Sequence, residues 1–278
     1  VATLTVGRNP LGFAQIVFEV GIVSQLEALI FDVDGTLSDT ERDGHRVAFN
    51  KAFAEAGLDW DWSVGLYGEL LAITGGKERI RHFLGLYHPE MLSEEGIDER
   101  IAHLHKRKTA YYLELLETGA IPLRSGVERL LRQSRDAGLR LAIATTTTPE
   151  NVTTLLKATL GEESIGWFEV IAAGDIVPAK KPAPDIYVYA LEEMALRADQ
   201  CLALEDSYNG VQSATGSDLP VLITVNGYTR EDDFTGSLTV LDQFGEPEDK
   251  ATVLSGAPIE ADCVTPDVLK ALHQAAQG

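Results

Sequence analysis

Two periodicities divide the chain. Runs of consecutive apolar residues stand at 28–31, 139–145, 169–173, 201–205 and 221–225. Such runs, closed by Gly, Pro or acidic residues, read as strands buried on both faces. Between them, apolar positions recur at three- and four-residue spacing over 126–137, 149–160 and 184–195, and a further helix opens over 210–215. The helix at 149–160 carries its own boundary marks: Thr148 as N-cap, Pro149 in the first position and Gly161 past the end. A last helix is expected over 266–276, with Thr265 as its N-cap. Strict alternation of strand and helix predicts an α/β fold, a doubly wound parallel sheet with right-handed crossovers.

Residues 41–118 interrupt the alternation. Helical spacing runs over 41–56, 64–73, 77–87 and 97–117, broken at Gly57, at Thr74-Gly75-Gly76 and at Gly119. An all-helical block inserted after a first strand predicts a separate subdomain over 41–118, with a discontinuous core of 24–40 and 119–278. Residues 228–261 are acidic and rich in Gly and Pro, with a short strand candidate at 238–241. There is no internal repeat and no low-complexity tract.

The first 23 residues stand apart. The chain starts at Val1, and the apolar segment 13–23 is short and interrupted by Glu19. With only Arg8 as a positive residue, it does not read as a signal peptide. It reads as an appended or upstream-derived extension of unknown role, partly disordered.

Charge narrows the function. The formal net charge over 278 residues is −20, which argues against nucleic acid or an anionic membrane as partner. No stretch is long and apolar enough to span a bilayer. Cys201 and Cys263 are far apart and form no metal spacing, so the reducing cytoplasm is the expected location. An anionic substrate would need local basic residues. Two clusters supply them: Thr-Gly-Gly-Lys-Glu-Arg at 74–79 and His-Leu-His-Lys-Arg-Lys at 103–108. In a chain this acidic they stand out as local anion sites, the alternative being solvated helix faces.

Four strand ends carry polar groups. The first strand runs into Asp32-Val33-Asp34-Gly35-Thr36. Two carboxylates so placed repel each other unless a cation lies between them, and oxygen-only ligands suit Mg²⁺. The second runs into Thr145-Thr146-Thr147-Thr148 before a helix N-terminus, a natural phosphate cradle. Lys180-Lys181-Pro182 offers a fixed positive charge, and Glu205-Asp206 ends a further strand in two acids. Each pattern alone is compatible with an ordinary turn or cap. In a doubly wound sheet all four converge on one carboxyl edge, where ligands bind.

The order and type of these motifs resemble those of the haloacid dehalogenase superfamily, over roughly residues 26–228. The resemblance implies a Rossmann-like core with a helical cap, and a catalytic set of Asp32 (nucleophile), Asp34 (acid/base), Thr145 (phosphate-binding hydroxyl) and Lys181 (charge clamp). It implies Mg²⁺ held by Asp32, Asp34, Glu205 and Asp206. The segments 34–41, 45–50, 75–79, 145–151 and 180–187 further resemble the CbbY-type phosphatases. Those enzymes are associated with the Calvin cycle and remove a phosphate from xylulose 1,5-bisphosphate. Substrate contacts implied in this way are Glu41, Thr74, Gly75, Gly76, Lys77, Glu78, Arg79, His105, Lys106, Arg107, Lys108, Thr146, Thr147 and Asn151. The expected protein is a monomeric sugar-bisphosphate phosphatase. A β-phosphoglucomutase shares the four core motifs and is the nearest rival; a receiver-like signalling module, with Asp, Thr and Lys but no inserted cap, is a remote one.

Overall fold

The computed structural model describes residues 2–8, 14–20 and 24–277. Strands β1 (Ala2–Arg8) and β2 (Ala14–Val20) pair antiparallel in a two-stranded sheet of their own, where the sequence suggests no element. Residue 1 and the segments 9–13 and 21–23, on which part of the expected disorder falls, lie outside the described residues.

The main sheet has seven strands in the order β5-β4-β3-β6-β7-β8-β9. These are β3 (Ala28–Phe31), β4 (Arg140–Thr145), β5 (Phe168–Ala173), β6 (Cys201–Glu205), β7 (Val221–Thr224), β8 (Thr239–Leu241) and β9 (Val253–Gly256). All neighbours pair parallel except β8 and β9. The doubly wound expectation therefore holds for the core of the sheet, and the acidic tail adds an antiparallel edge. Only the β8 part of that edge has an apolar run in the sequence; β9 is largely exposed, so its pattern carries no burial signal.

Strand alternation sends the side chains to two layers, one of them rich in alanine on β4 and β6. Leu29 and Phe31, Leu141 and Ile143, and Leu202 and Leu204 face one layer, with α5 (Val127–Asp136), α6 (Pro149–Leu160) and α9 (Pro266–Ala275). Ala28, Ala142, Ala144, Ala172 and Ala203 face the other, against α7 (Asp185–Met194) and α8 (Tyr208–Thr215). The expected caps form: Thr148 Oγ1 accepts from the Asn151 amide at 3.4 Å, and Thr265 Oγ1 from the Val268 amide at 3.3 Å.

The regular elements of residues 41–117 are all helical. A π-helical turn, Glu41–His45, leads into α1 (Arg46–Glu55), followed by α2 (Val64–Leu70), α3 (Gly76–Tyr87) and α4 (Ile97–Glu117). Phe49, Phe53, Trp60, Trp62, Tyr67 and Phe83 give this block an aromatic core distinct from the two sheet layers. Such edge-to-face ring contacts add to the stabilisation from buried area; Phe53 and Trp62, for example, lie 4.9 Å apart at 69°. No helix among the described residues is long and apolar enough to cross a membrane.

Candidate active site

Groups from three strand ends and one loop lysine meet at the carboxyl edge. Asp32 extends β3 by donating its amide to Leu204 O at 3.0 Å, which sets its side chain beside Glu205 and Asp206 at the end of β6. Lys181, in the loop before α7, reaches into this group. Its Nζ donates to Asp32 Oδ1 at 2.8 Å, to Glu205 Oε1 at 2.5 Å and to Ala144 O at 2.9 Å. Tyr187, on the first turn of α7, donates its hydroxyl to the same Glu205 oxygen at 2.6 Å. Asn226, just past β7, donates to Asp206 Oδ2 at 2.6 Å. Thr145 lies at the end of β4 with its hydroxyl oxygen 3.4 Å from the Thr147 amide.

One ammonium faces three buried carboxyl groups. Burial pushes Asp32 up to about 8, against the pull of Lys181 and with the help of Glu205. Burial, then Asp32 and Glu205, push Asp206 well above the usual carboxylate range. For Lys181, burial acts downward but Asp32 and Glu205 outweigh it and raise the group. Carboxyls shifted in this direction are short of positive charge. Asp32, Glu205 and Asp206 each offer an oxygen within 4.8 Å of the others, and Glu205 Oε2 is buried without a hydrogen-bond partner. An all-oxygen donor set with an orphaned carboxylate oxygen suits a hard divalent cation.

Asp34 is held differently. Thr40 Oγ1 donates to its Oδ1 at 2.5 Å, and His45 Nε2 donates to the same oxygen at 3.0 Å. Lys108 Nζ in turn donates to His45 Nδ1 at 2.8 Å. Burial would raise Asp34, but His45, Thr40 and Lys108 overcome it and hold the carboxyl well below its ordinary range. The Asp34 carboxylate thus belongs to a second group with Glu41 and His45, and not to the Asp32–Glu205–Asp206 cluster in which the resemblance would include it. The turn after β3 directs the two acids to different partners.

Two cavities meet here. The first, of about 450 Å³, takes in Asp32, Thr145, Lys181 and Asp206, and also Thr74. The second, of about 280 Å³, takes in Gly75, Gly76, Lys77, His105, Lys108, Thr147, Asn151 and Lys180. Asp34, Glu41, Arg79 and Thr146 line both, so the spaces are contiguous. Gly76 lets helix α3 approach α4: a Cβ there would stand 2.7 Å from His105 Nε2. Gly75 has φ +95°, a conformation that favours glycine. Burial, then Lys108, pushes His105 down to about 3, and burial pushes Lys108 down to about 8.

Not every basic residue of the two clusters reaches the cavity. His105 and Lys108 sit three apart on one face of α4, as helical geometry requires. Lys106 is exposed and lines neither cavity. Arg107 turns to Glu55 at 2.6 Å and packs over the Tyr111 ring at 5.2 Å. Glu78 lines neither of these cavities and stands 3.5 Å from Lys180. Lys106, Arg107 and Glu78 thus stand outside both cavities; on α4 the basic run 105–108 is split around the helix by its 100° step. Lys77 does line the cavity, with Asp175 of the sheet layer 2.9 Å away. Arg79 is buried, donating to Tyr67 OH at 2.9 Å, while Tyr67 donates to Glu41. Thr74 Oγ1 accepts from Asn209 at 3.0 Å, and Asn151 Nδ2 donates to Thr147 Oγ1 at 2.8 Å.

Sequence reasoning did not single out Thr40, His45, Tyr187, Lys180, Asp175 or Asn226 as site residues. His45 had a usable signal, since it lies on the helix that follows the Asp-Gly-Thr turn. Asn226 had none, because its partner Asp206 is 20 residues away on another strand.

Residues 26–218 match the haloacid dehalogenase-like hydrolase family. The chain belongs to that family. Protein CbbY of Rhodobacter capsulatus is 50% identical over 77% of this chain and 91% of its own length. The plasmid-encoded CbbY of Cupriavidus necator is 46% identical over 80% of this chain and 87% of its own length. A crystal structure of CbbY from Rhodobacter sphaeroides with phosphate superposes with TM-score 0.72 at 44% identity, covering 80% of this chain and 96% of that one. A variant of the same protein was crystallised with xylulose 1,5-bisphosphate; it gives 0.73 at 43% identity, with the same coverage. The chain is thus a haloacid dehalogenase-family phosphatase of CbbY type. β-Phosphoglucomutase from Clostridium difficile shares the fold, with TM-score 0.64 at 20% identity.

Proposed function

We propose that this phosphatase hydrolyses a sugar bisphosphate, xylulose 1,5-bisphosphate, with Mg²⁺, through an aspartyl-phosphate intermediate. The observation that carries the proposal is the second cavity. A monophosphate needs only the space around Asp32, Thr145 and Lys181. The adjoining cavity brings Lys77, Arg79, His105, Lys108 and Lys180 around a space of about 280 Å³, in a chain of net charge −20. That is a place for a second phosphate. The bisphosphate bound by the R. sphaeroides relative supports the choice of sugar.

In this reading Asp32 attacks phosphorus, and the bond to the sugar oxygen breaks as the acyl phosphate forms. Lys181 keeps the Asp32 side chain in place through Oδ1 and lends its charge to the phosphoryl oxygens. Thr145 donates to one of those oxygens. Asp34 passes a proton to the leaving sugar oxygen, then takes one from the water that cleaves the acyl phosphate and frees inorganic phosphate. Thr40 and His45 hold Asp34 by Oδ1, which leaves Oδ2 for this work. They also favour its ionised form; an anionic phosphoryl group brought against it pushes the other way, toward the acid that donates. Asp32, Glu205 and Asp206 would hold Mg²⁺, which supplies charge neutralisation for attack by one anion on another. Residues 41–118 would serve as a cap that selects the sugar, and residues 24–40 and 119–278 as the core.

A phosphate-release panel of sugar mono- and bisphosphates tests the proposal. The expected result is a kcat/KM for the ketose 1,5-bisphosphate well above that of any monophosphate. Equal rates on ribulose 5-phosphate and the bisphosphate would reject it.

A further inference from the structure

The Arg124 side chain is largely buried, and neither the cavities nor the proposed chemistry uses it. It lies two residues before Gly126 and α5, in the connection that returns the chain from the helical block to the sheet. Its side chain is 8% exposed. Its guanidinium gathers backbone oxygens from three segments. Nη1 donates to Gly35 O, to Thr224 O at 3.0 Å and to Thr224 Oγ1 at 3.2 Å. Nη2 donates to Val225 O at 2.5 Å and to Asp242 O at 3.0 Å, and Nε lies 3.3 Å from Asp39 Oδ1. The backbone reinforces the grip: the Arg124 amide donates to Leu37 O at 2.9 Å.

The acceptors adjoin the chemistry. Gly35 follows Asp34 at φ +93°, so its peptide fixes how the turn presents that carboxyl. Val225 precedes Asn226, whose side chain holds Asp206 Oδ2 at 2.6 Å. Asp242 belongs to the tail beyond residue 218, where the family match ends.

We infer that Arg124 is a positioning residue for catalysis: a single buried guanidinium fixes Asp34 through the Gly35 peptide and Asp206 through Val225 and Asn226, and the C-terminal tail completes its shell. The inference rests on the roles proposed above for Asp34 and Asp206. A planar fork of donors suits this task; an ammonium cannot span the same acceptors. Misplacing reacting groups by about 1 Å costs on the order of 10²-fold in rate. The loss should fall on turnover, because Arg124 lines neither cavity and grips no part of the substrate.

The test measures kcat and KM of Arg124→Ala and Arg124→Lys with the bisphosphate and with p-nitrophenyl phosphate, together with thermal unfolding. The expected result is a kcat at least about tenfold lower in both variants, with KM within about threefold. Sub-denaturing guanidinium chloride should restore part of the Arg124→Ala rate and leave Arg124→Lys unchanged. A general loss of structure would not respond to guanidinium in this selective way. Should Arg124→Ala fail to fold, the kcat and KM of Arg124→Lys decide the matter by the same limits. A kcat within about twofold of wild type in a folded variant overturns the inference. So does a KM that rises as much as kcat falls, without rescue. Asp34→Asn, assayed alongside, separates the two readings. If it stays active, the assigned acid/base role fails; if it is inactive while the Arg124 variants match wild type, only the positioning inference fails.

Discussion

Magnesium binding should release protons from the Asp32–Glu205–Asp206 cluster, and its affinity should climb steeply between pH 6 and 8. Burial raises Asp32 to about 8, and the Asp32 oxygen cannot serve a cation while it carries a proton. With that value, the ionised fraction is about 1% at pH 6 and about 50% at pH 8, so the apparent affinity rises by roughly 50-fold over the interval. Asp206 is raised as well and steepens the dependence. The folded-state value of Asp32 lies above its unfolded value of 3.8. Between about pH 4 and 8 the metal-free folded chain therefore keeps a proton that the unfolded chain has lost. Stability from this group is fully present below pH 4, falls as pH rises through about 8, and is recovered when Mg²⁺ replaces the proton. Isothermal titration with Mg²⁺ in two buffers of different ionisation heat, at pH 6, 7 and 8, measures both quantities. About one or more protons released per ion near pH 6 to 7 is the expected result. Asp32→Asn should bind more weakly and with a flatter pH dependence. An affinity that stays constant from pH 6 to 8 with no proton release would refute the electrostatic picture of the cluster.

Asp32→Asn should abolish turnover while the thermal transition persists; activity within about tenfold of wild type would sink its assignment as nucleophile, since loss of a lesser acid/base role costs about 10²–10⁴-fold. Lys108→Met should lower kcat/KM for the bisphosphate by roughly 10–100-fold, the scale of one charge-assisted hydrogen bond. Lys77→Ala, partly exposed and paired with Asp175, should cost no more than about threefold; equal losses in parallel assays would refute this ranking by burial. At saturating Mg²⁺, His105→Gln should leave the pH dependence of the bisphosphate KM between pH 5 and 7 unchanged, because His105 is pushed down to about 3 and stays neutral there, and KM should rise above about pH 8 as Lys108 loses its proton. A pH profile that differs between wild type and His105→Gln over pH 5 to 7 would mean that His105 gains charge in that range.

The strand-end motifs were legible because strand burial and ligand position are coupled in a doubly wound sheet. An apolar run such as 201–204 both declares itself a central strand and points its last residues, Glu205 and Asp206, at the site. The helical block was legible for a similar reason, since its apolar spacing departs so clearly from the rest. Its basic residues were less so. His105 and Lys108 share a face while Lys106 and Arg107 do not, which helical periodicity alone could have indicated. Arg124 and Asn226 were invisible for a different reason. Their partners are mostly backbone carbonyls or side chains from distant segments, and no local pattern marks a residue that acts only after the chain has closed. Strand β9 escaped because an exposed antiparallel edge buries nothing that a hydropathy pattern could reveal.

The alanine-lined face of the sheet has a consequence for anyone altering this protein. Ala142, Ala144 and Ala203 let α7 lie close to the strands, and α7 brings Tyr187, with Lys181 just before it, to Glu205. A methyl or two added beneath that helix, as in Ala144→Val, would displace it outward and carry both donors away from the acid. The leucine-rich face carries no donor to Glu205, so exchanges among Leu, Ile and Met there should alter melting temperature with little effect on rate. Stabilising libraries should therefore be confined to that layer, while the alanine layer sets how near the helix can stand and so works as a spacer for the reaction.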